Sequence, residues 1–314
     1  MSKARLAIAL TTLTFATVVW AVPATGIAHQ RVQRREQQLD NRALAVVPIR
    51  LRDERDRGLT ATAWINGAGP FVFAIDTGAG ISLISRSVAE RAGLQVVQSR
   101  RPLVGGLSTA PISSNQETRF SELALGSREN RISTHALAAV VNNLPGGIDG
   151  VLDPTSVFSP LGYSVDLPNQ ELRVFDPNVE GVRMNDVPRG GTGVRWVRQA
   201  GNDRPFVRLS DGQLALLDTG SGFGFAVNEN RSLAGRNDGR MESTSDLGGG
   251  RIQSREVAPQ RVEIGALVLN GVPTDVLTGV APGTPVLLGR RALFPFKLTF
   301  DPVARLISFE PAER

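Results

Sequence analysis

The stretch that decides the fold is Phe-Val-Phe-Ala-Ile-Asp-Thr-Gly-Ala at residues 71–79, an apolar run that leads into the triplet Asp-Thr-Gly. The same arrangement returns at residues 214–221 as Leu-Ala-Leu-Leu-Asp-Thr-Gly-Ser. The two triplets begin at Asp76 and Asp218, 142 residues apart. A short apolar run that is closed by Asp and Gly is typical of a buried strand that ends in a turn. We therefore expect each aspartate to lie at the end of a strand.

Further landmarks accompany both triplets in the same order along the chain. Each apolar run follows a hairpin-turn signal, and each triplet is followed by a glycine cluster, a strand-like run, an apolar corner and a closing hairpin. These landmarks lie at residues 66–67, 105–106, 123–126, 151–152 and 164–177 in the first copy, and at 211–212, 248–250, 262–265, 286–289 and 299–311 in the second. An ordered set of landmarks that occurs twice indicates an internal repeat. Because the segments are short and separated by Gly, Pro, Asn and Asp, we expect an all-β fold.

With these residues the chain resembles the aspartic proteases, and within them the retropepsin-like branch. The resemblance is carried by residues 76–79, by residues 218–221 and by Leu-Leu-Gly-Arg at residues 287–290. It covers the chain from about residue 44 to the C-terminus, and it implies two pseudo-symmetric lobes that face each other across an active-site cleft. We place these lobes at residues 44–188 and 189–314. Because one chain supplies both, a monomer is sufficient for a complete pair of aspartates.

The chemistry of such a pair follows from two carboxyl groups that share one proton. Hydrolysis of a peptide bond by carboxyl groups needs one acid and one base around a single water, and two carboxyls held close together cannot both ionise. The pattern predicts that Asp76 and Asp218 form this catalytic dyad, which titrates as a pair. Ser221 carries a hydroxyl that can donate to the neighbouring carboxylate, whereas Ala79 has none. We therefore expect Asp218 to be the charged partner and Asp76 the protonated one.

The resemblance also implies supporting roles for the residues around the dyad. The two threonines are expected to hydrogen-bond across the lobe interface, and the two glycines to offer backbone N–H groups near the carboxylates. These supporting residues are Thr77, Gly78, Ala79, Thr219, Gly220 and Ser221. The glycine clusters are candidate flaps, which are hairpin tips that close over a bound peptide, and ordinary hairpin turns are the alternative. The candidate flap residues are Gly105, Gly106, Gly248, Gly249 and Gly250.

One position departs from the family pattern. The second copy has a glycine after two apolar residues, Gly289, whereas the first copy has Asp153 at the matching place. Two interpretations stay open at the level of sequence. Either a carboxylate distorts the floor of the first lobe's active site, or the loop is shifted by a few residues around Gly150.

The composition excludes several other classes of chemistry. The chain has no cysteine and only two histidines among 314 residues, so thiol nucleophiles and cysteine-bound zinc are impossible and a histidine-based triad has almost no material. We expect no metal and no cofactor. The formal charge of +5 comes from arginines that are scattered along the chain, and aromatic residues make up 5%. The sequence therefore lacks the basic stacking surface typical of nucleic-acid binding.

The N-terminus reads as an export segment. An uncharged stretch at residues 6–28 follows Lys3 and Arg5, which is the pattern of a signal peptide and is also long enough for a membrane anchor. We assign residues 1–28 to this signal or anchor and residues 29–43 to a polar linker. Either reading places the rest of the chain outside the cytoplasm, in the periplasm or anchored at a membrane facing outward.

Three functions are compatible with these observations. The first is an exported aspartic endopeptidase that cleaves polypeptides with a water activated by the dyad. The second is a catalytically silent relative that binds peptides in the same groove. The third is an unrelated all-β structural protein whose Asp-Thr-Gly turns are incidental. The location of Asp76 and Asp218, adjacent or far apart, separates the third from the other two.

Overall fold

The apolar runs of the sequence form short strands in the computed structural model, which describes residues 47–54, 57–108, 112–199, 202–229, 239–245, 251–281 and 283–312. Regular structure in these ranges is almost entirely β, so the expected all-β class is confirmed. The strands of the first copy are β1 (Ile49–Arg50), β2 (Arg52–Glu54), β3 (Gly58–Ile65), β4 (Ala68–Ile75), β5 (Ser82–Ser85), β6 (Val97–Gly105), β7 (Ile112–Leu125), β8 (Arg131–Val141), β9 (Gly150–Leu152), β10 (Gly162–Asp166) and β11 (Glu171–Phe175).

The second copy contributes a matching series, and the helices are short. Its strands are β12 (Thr192–Arg195), β13 (Val197–Gln199), β14 (Asn202–Arg208), β15 (Leu214–Asp218), β16 (Phe225–Asn228), β17 (Met241–Ser245), β18 (Arg251–Ile264), β19 (Leu267–Thr278), β20 (Val286–Gly289), β21 (Phe296–Asp301) and β22 (Leu306–Pro311). The helices are α1 (Arg86–Arg91), α2 (Pro154–Phe158), α3 (Pro177–Glu180) and α4 (Arg290–Leu293), with a 3₁₀ turn at Pro145–Gly147.

The repeat in the sequence is also a repeat in sheet topology. Among the described residues, a first eight-stranded sheet has the order β2-β3-β4-β9-β5-β8-β7-β6, and a second has the order β13-β14-β15-β20-β16-β19-β18-β17. In both sheets the strand that leads to Asp-Thr-Gly pairs in parallel with the apolar corner. Ile75 lies opposite Leu152, and Leu217 lies opposite Leu288. Since the register is the same in both copies, Asp153 occupies the place of Gly289, and the first loop is not shifted.

The two copies are joined by a sheet that the sequence did not predict. The closing hairpins of both copies meet in a six-stranded sheet of described residues with the order β1-β11-β10-β21-β22-β12. At its centre β10 pairs with β21, and Tyr163 lies opposite Phe300. The two rings stack with centroids 4.6 Å apart, and the Trp196 ring packs edge-on to Phe300 at 6.0 Å. Both copies therefore share one buried aromatic core, and the described residues fall in one compact unit.

Some predicted segments cannot be compared with the structure. The signal or anchor at residues 1–28, the linker at residues 29–43 and the glycine cluster at residues 248–250 lie outside the described residues. Within the part of the chain that the structure describes, no helix has the length and apolar character needed to cross a membrane.

The shared aromatic core gives a test of stability. Phe300 is fully buried, so Phe300→Ala should lower the free energy of unfolding by about 3–5 kcal/mol, the usual effect of emptying a large aromatic site. Phe294 is 50% exposed in the same part of the chain, so Phe294→Ala is the matched control and should change it by about 0.5 kcal/mol or less. Equilibrium denaturant unfolding of the two variants measures the difference, and similar losses in both would contradict this account of the junction.

Candidate active site

The two aspartates lie side by side where the two eight-stranded sheets meet. Asp76 directly follows β4 and Asp218 ends β15, and the side chains are only 6% and 7% exposed. The two carboxyl groups lie close enough for each to shift the pKa of the other. A Cβ added to Gly78 would lie 2.6 Å from Cγ of Asp218, and one added to Gly220 would lie 2.4 Å from Cγ of Asp76. Glycine is therefore required after each threonine, because any side chain would displace the opposite carboxyl.

The two threonines lock the two triplets together. The backbone N–H of Thr77 donates to Oγ1 of Thr219, and the N–H of Thr219 donates to Oγ1 of Thr77, both at 3.1 Å. Each hydroxyl in turn donates to a carbonyl of the opposite strand, Thr77 to Leu217 at 2.7 Å and Thr219 to Ile75 at 3.2 Å. Both threonines are fully buried. Four reciprocal hydrogen bonds shielded from water fix the separation of the two aspartates.

The hydrogen-bond donors around the two carboxyls differ. The N–H of Gly78 donates to Oδ1 of Asp76 at 2.8 Å, and the N–H of Ser221 donates to Oδ1 of Asp218 at 2.9 Å. The Ser221 contact with Asp218 comes from its backbone N–H and not from the hydroxyl that the sequence suggested. The hydroxyl oxygen accepts from the N–H of Phe223 at 3.3 Å. Ala79, at the place of Ser221, borders a cavity beside the first triplet.

The electrostatic surroundings favour a proton on Asp76. Burial, then the negative charge of Asp218 and the hydrogen bond between the two side chains, raise the pKa of Asp76 well above its ordinary value. Burial also raises the pKa of Asp218, but the hydrogen bond from Asp76, the N–H of Ser221 and the positive charge of Arg290 act in the opposite direction. Because hydrogen bonds and a nearby cation stabilise the ionised form, Asp218 carries the charge more readily than Asp76.

Arg290 is a site residue whose role the sequence reasoning missed. It follows Gly289, and its guanidinium donates to the carbonyls of Thr219 and Gly220 at 2.9 and 3.1 Å. Its Nε lies 3.7 Å from a carboxylate oxygen of Asp53. The side chain is 13% exposed, and its hydrogen bonds hold the backbone of the second triplet in place. The signal was present in the sequence, because Arg290 directly follows the glycine of the apolar corner.

Asp153, the departure noted in the sequence, is built into the first copy as a helix cap. Its Oδ1 accepts from the N–H of Thr155 at 3.1 Å at the start of α2, and its own N–H donates to Oγ of Ser82 at 3.1 Å. A glycine is obligatory at the matching position 289, where a Cβ would lie 2.4 Å from the carbonyl oxygen of Phe223. Burial raises the pKa of Asp153 to about 7, and its charge in turn raises the pKa of Asp76. A third titratable carboxyl therefore adjoins the dyad.

One candidate flap crosses to the other copy. Gly105 ends β6 and Gly106 follows it, at the tip of the hairpin that β6 forms with β7. Beyond the tip, Ser108 forms a β-bridge with Val280, and the carbonyl of Leu107 accepts from the N–H of Ala281 at 2.8 Å. Leu107 also packs against the apolar cluster of the second sheet. The β6–β7 hairpin therefore contacts the second copy, and its role as a flap stays a prediction.

The structure thus places a buried aspartate pair on two Asp-Thr-Gly loops of a repeated β fold. Residues 61–153 match the model of a family described as aspartyl protease, and this match supports an aspartic protease-like family for this part of the chain. The match contains the first triplet and ends at Asp153, and the second triplet lies beyond it. No curated protein matches the chain. Within the described ranges, no group of three or more His, Asp or Glu side chains is placed to hold a metal ion.

The threonine lock is tested by removing one hydroxyl. Thr77→Val leaves the carbonyl of Leu217 and the N–H of Thr219 without their buried partner, so the free energy of unfolding should fall by about 2 kcal/mol or more. Thr77→Ser keeps the hydroxyl and is the matched control. Denaturant unfolding measures both variants. If valine were as well tolerated as serine, the lock would not determine the stability of the junction.

Asp153 gives a prediction about pH. Its pKa is about 7 in the folded protein and 3.8 ordinarily, so between these values the folded state binds more protons than the unfolded chain. Stability contributed by this group therefore falls as pH rises through that window, by up to about 1.4 kcal/mol per pH unit. Asp153→Asn keeps the capping oxygen and cannot ionise, so its advantage over the wild type should grow from about pH 4 to 7 and then level off. If the difference in unfolding free energy between the two proteins stayed constant across this pH range, Asp153 would not titrate in this way.

Proposed function

We propose that the protein is an aspartic endopeptidase that hydrolyses polypeptides with a water activated by Asp76 and Asp218. The observation that carries the proposal is the contact of two buried carboxyls between two matching sheets, held by the reciprocal hydrogen bonds of Thr77 and Thr219. Burying two carboxyls side by side destabilises a fold unless they share a proton. A chemical role therefore explains the pair better than a structural one. In this proposal residues 44–188 and 189–314 are two retropepsin-like lobes, and the dyad lies at the floor of the cleft between them.

The two carboxyls would divide the work of the reaction. Asp218, the anionic partner, accepts a proton from the attacking water, while Asp76 donates its proton to the carbonyl oxygen of the scissile peptide bond. The new C–O bond gives a tetrahedral diol. The diol then collapses as one hydroxyl proton returns to Asp76, the proton on Asp218 passes to the peptide nitrogen, and the C–N bond breaks. The pair ends with the single proton with which it began.

The difference between the two surroundings supports this assignment. A base must be ionised and an acid protonated at the same pH, and a symmetric pair has no preference between the two arrangements. Here Arg290 and the N–H of Ser221 favour the anion on Asp218, while the charge of Asp153 favours the proton on Asp76. The unchanged register at Asp153 argues against the catalytically silent alternative, because this residue does not displace the strand that carries Asp76.

The place of action is proposed from the sequence. An uncharged segment at residues 6–28 with Lys3 and Arg5 before it supports export to the periplasm or anchoring at a membrane with the cleft facing outward. The substrate would be an extended polypeptide segment that lies in the cleft beneath the hairpin of β6 and β7. No metal or other cofactor enters this mechanism.

Cleavage of a complex peptide mixture by the full chain, followed by mass spectrometry between pH 3 and 8, tests the function. Asp218→Asn and Asp76→Asn should each lower kcat/KM on a selected peptide by about a thousandfold or more. Asp211→Asn is the matched control, because this exposed aspartate lies in the turn just before β15 and its capping oxygen survives the change. Since the pKa of Asp76 is raised, activity should persist to higher pH than the ionisation of an ordinary carboxyl would allow.

Two outcomes would overturn the proposal. Folded wild-type protein that cleaves no peptide at any pH would favour a binding role for the cleft. Cleavage that survives in both dyad variants would place the activity elsewhere in the chain or in a contaminant.

A further inference from the structure

The proposed reaction uses two carboxyls, and a third, that of Asp153, lies beside them without a part in it. We propose that Asp153 is a positioning residue whose negative charge keeps the shared proton on the dyad and so extends hydrolysis toward alkaline pH. The inference rests on the proposed peptidase function and adds to it a control of the pH range.

The fold places Asp153 next to Asp76. The N–H of Asp76 donates to the carbonyl of Leu152 at 3.0 Å, and Asp153 is the following residue. Ile75 and Leu152 are partners in the parallel pairing of β4 with β9, so the two aspartates continue neighbouring strands, which in a sheet lie about 5 Å apart. Asp153 is 3% exposed and Asp76 is 6% exposed. Charges so close together and so little exposed to water interact strongly and are only weakly screened by salt.

The start of α2 holds the Asp153 carboxyl in place. Its Oδ1 accepts from the N–H of Thr155 at 3.1 Å, and the N–H of Asp153 donates to Oγ of Ser82 at 3.1 Å. Oγ1 of Thr155 lies 2.8 Å from the hydroxyl oxygen of Tyr163, whose ring belongs to the shared aromatic core. None of these contacts involves a peptide. The third carboxyl is therefore in position before a substrate arrives.

Several titratable and charged groups surround Asp153. Those that interact with its charge or line the same cavity of about 610 Å³ are Asp76, Tyr163, Arg198, Asp203, Arg204 and Arg305. Burial has the largest influence on Asp153 and raises its pKa to about 7, while the hydrogen bonds at the start of α2 act in the opposite direction. The cavity reaches the surface at Val303, which is 58% exposed, so the Asp153 carboxyl can exchange its proton with solvent.

The charge on Asp153 forms in the pH range in which it matters for the dyad. In the proposed mechanism hydrolysis stops when Asp76 loses its proton, and the negative charge of Asp153 raises the pKa of Asp76. Below about pH 7 Asp153 is itself protonated and exerts no such effect, whereas above this pH its charge opposes the ionisation of Asp76. The alkaline limit of hydrolysis should therefore depend on Asp153, and the acid limit should not.

The test is the dependence of kcat/KM on pH from 4 to 9, measured for the full chain on a cleavable peptide that has blocked termini and no titratable side chain. Asp153→Asn keeps the capping oxygen and removes the charge. Near pH 5 its kcat/KM should stay within about twofold of the wild-type value, because Asp153 is neutral there in both proteins. On the alkaline side of the profile it should fall about five- to tenfold below the wild type.

Asp176→Asn is the matched control. Asp176 also precedes a proline and caps a short helix, its Oδ1 accepts from the N–H of Asn178 at 2.9 Å, and it is 6% exposed. The same substitution therefore removes a charge from a similar cap that follows β11, and it should leave the pH profile unchanged. Asp153→Gly introduces the residue that the second copy has at the corresponding position. It should repeat the alkaline loss, and it replaces the Asn variant if that variant does not fold.

The outcomes separate this inference from the proposed function. An alkaline limit that is the same in the wild type and in folded Asp153→Asn would overturn the inference, and so would an equal loss of kcat/KM at every pH, which a merely structural role would produce. If the wild type cleaves nothing, the proposed function fails, and NMR titration of ¹³C-labelled aspartate carboxyls decides the inference, with the dyad signals assigned from Asp76→Asn and Asp218→Asn. A lower alkaline midpoint of the dyad in the charge-free variant supports it, and an unchanged midpoint contradicts it.

Discussion

The structure depends on the four buried hydrogen bonds through which Thr77 and Thr219 clasp each other's backbone. Two buried carboxyls repel each other unless they share a proton, and this sharing requires a fixed short separation. The hydrogen bonds of the two threonines fix that separation without involving the carboxyls. It also explains the glycines that follow, because a Cβ at Gly78 or Gly220 would lie within 3 Å of the opposite carboxyl. In each triplet the aspartate therefore supplies the carboxyl, the threonine fixes the distance between the two carboxyls, and the glycine leaves room for the opposite carboxyl.

The repeated sheet order would make the two aspartates equivalent, but their surroundings differ at particular residues. In the repeat, Asp153 of the first copy corresponds to Gly289 of the second, and Pro154 corresponds to Arg290. One carboxyl consequently has a further acid beside it and the other has a cation. Both differences act in the same direction, because a like charge opposes ionisation of Asp76 while Arg290 favours ionisation of Asp218. In the proposed mechanism, the acid and base roles thus follow from two local departures from symmetry.

The features that could be predicted from the sequence are those set by residues that lie close together in the chain. The strands ending at Asp76 and Asp218 were visible because apolar runs and turn residues are local signals, and the duplication of those signals pointed to a facing pair. The sheet shared by both closing hairpins, the crossing of Leu107 to the second sheet and the approach of Arg204 to Gly80 were not visible. Each joins residues that are distant in the chain, and no single sequence records which distant residues meet.

One chain that carries two copies can vary each copy separately, which two identical chains cannot do. In a symmetric homodimer, a substitution such as glycine to aspartate at position 153 would occur beside both catalytic carboxyls and would bias neither. Here Asp153 of the first copy corresponds to the obligatory Gly289 of the second, and Arg204 of the second copy corresponds by strand register to Gly58 of the first. The polarity of the dyad and the shape of the cavity beside it can then change independently. Because a polypeptide is itself directional, a site with both kinds of asymmetry can distinguish the two orientations of a bound peptide.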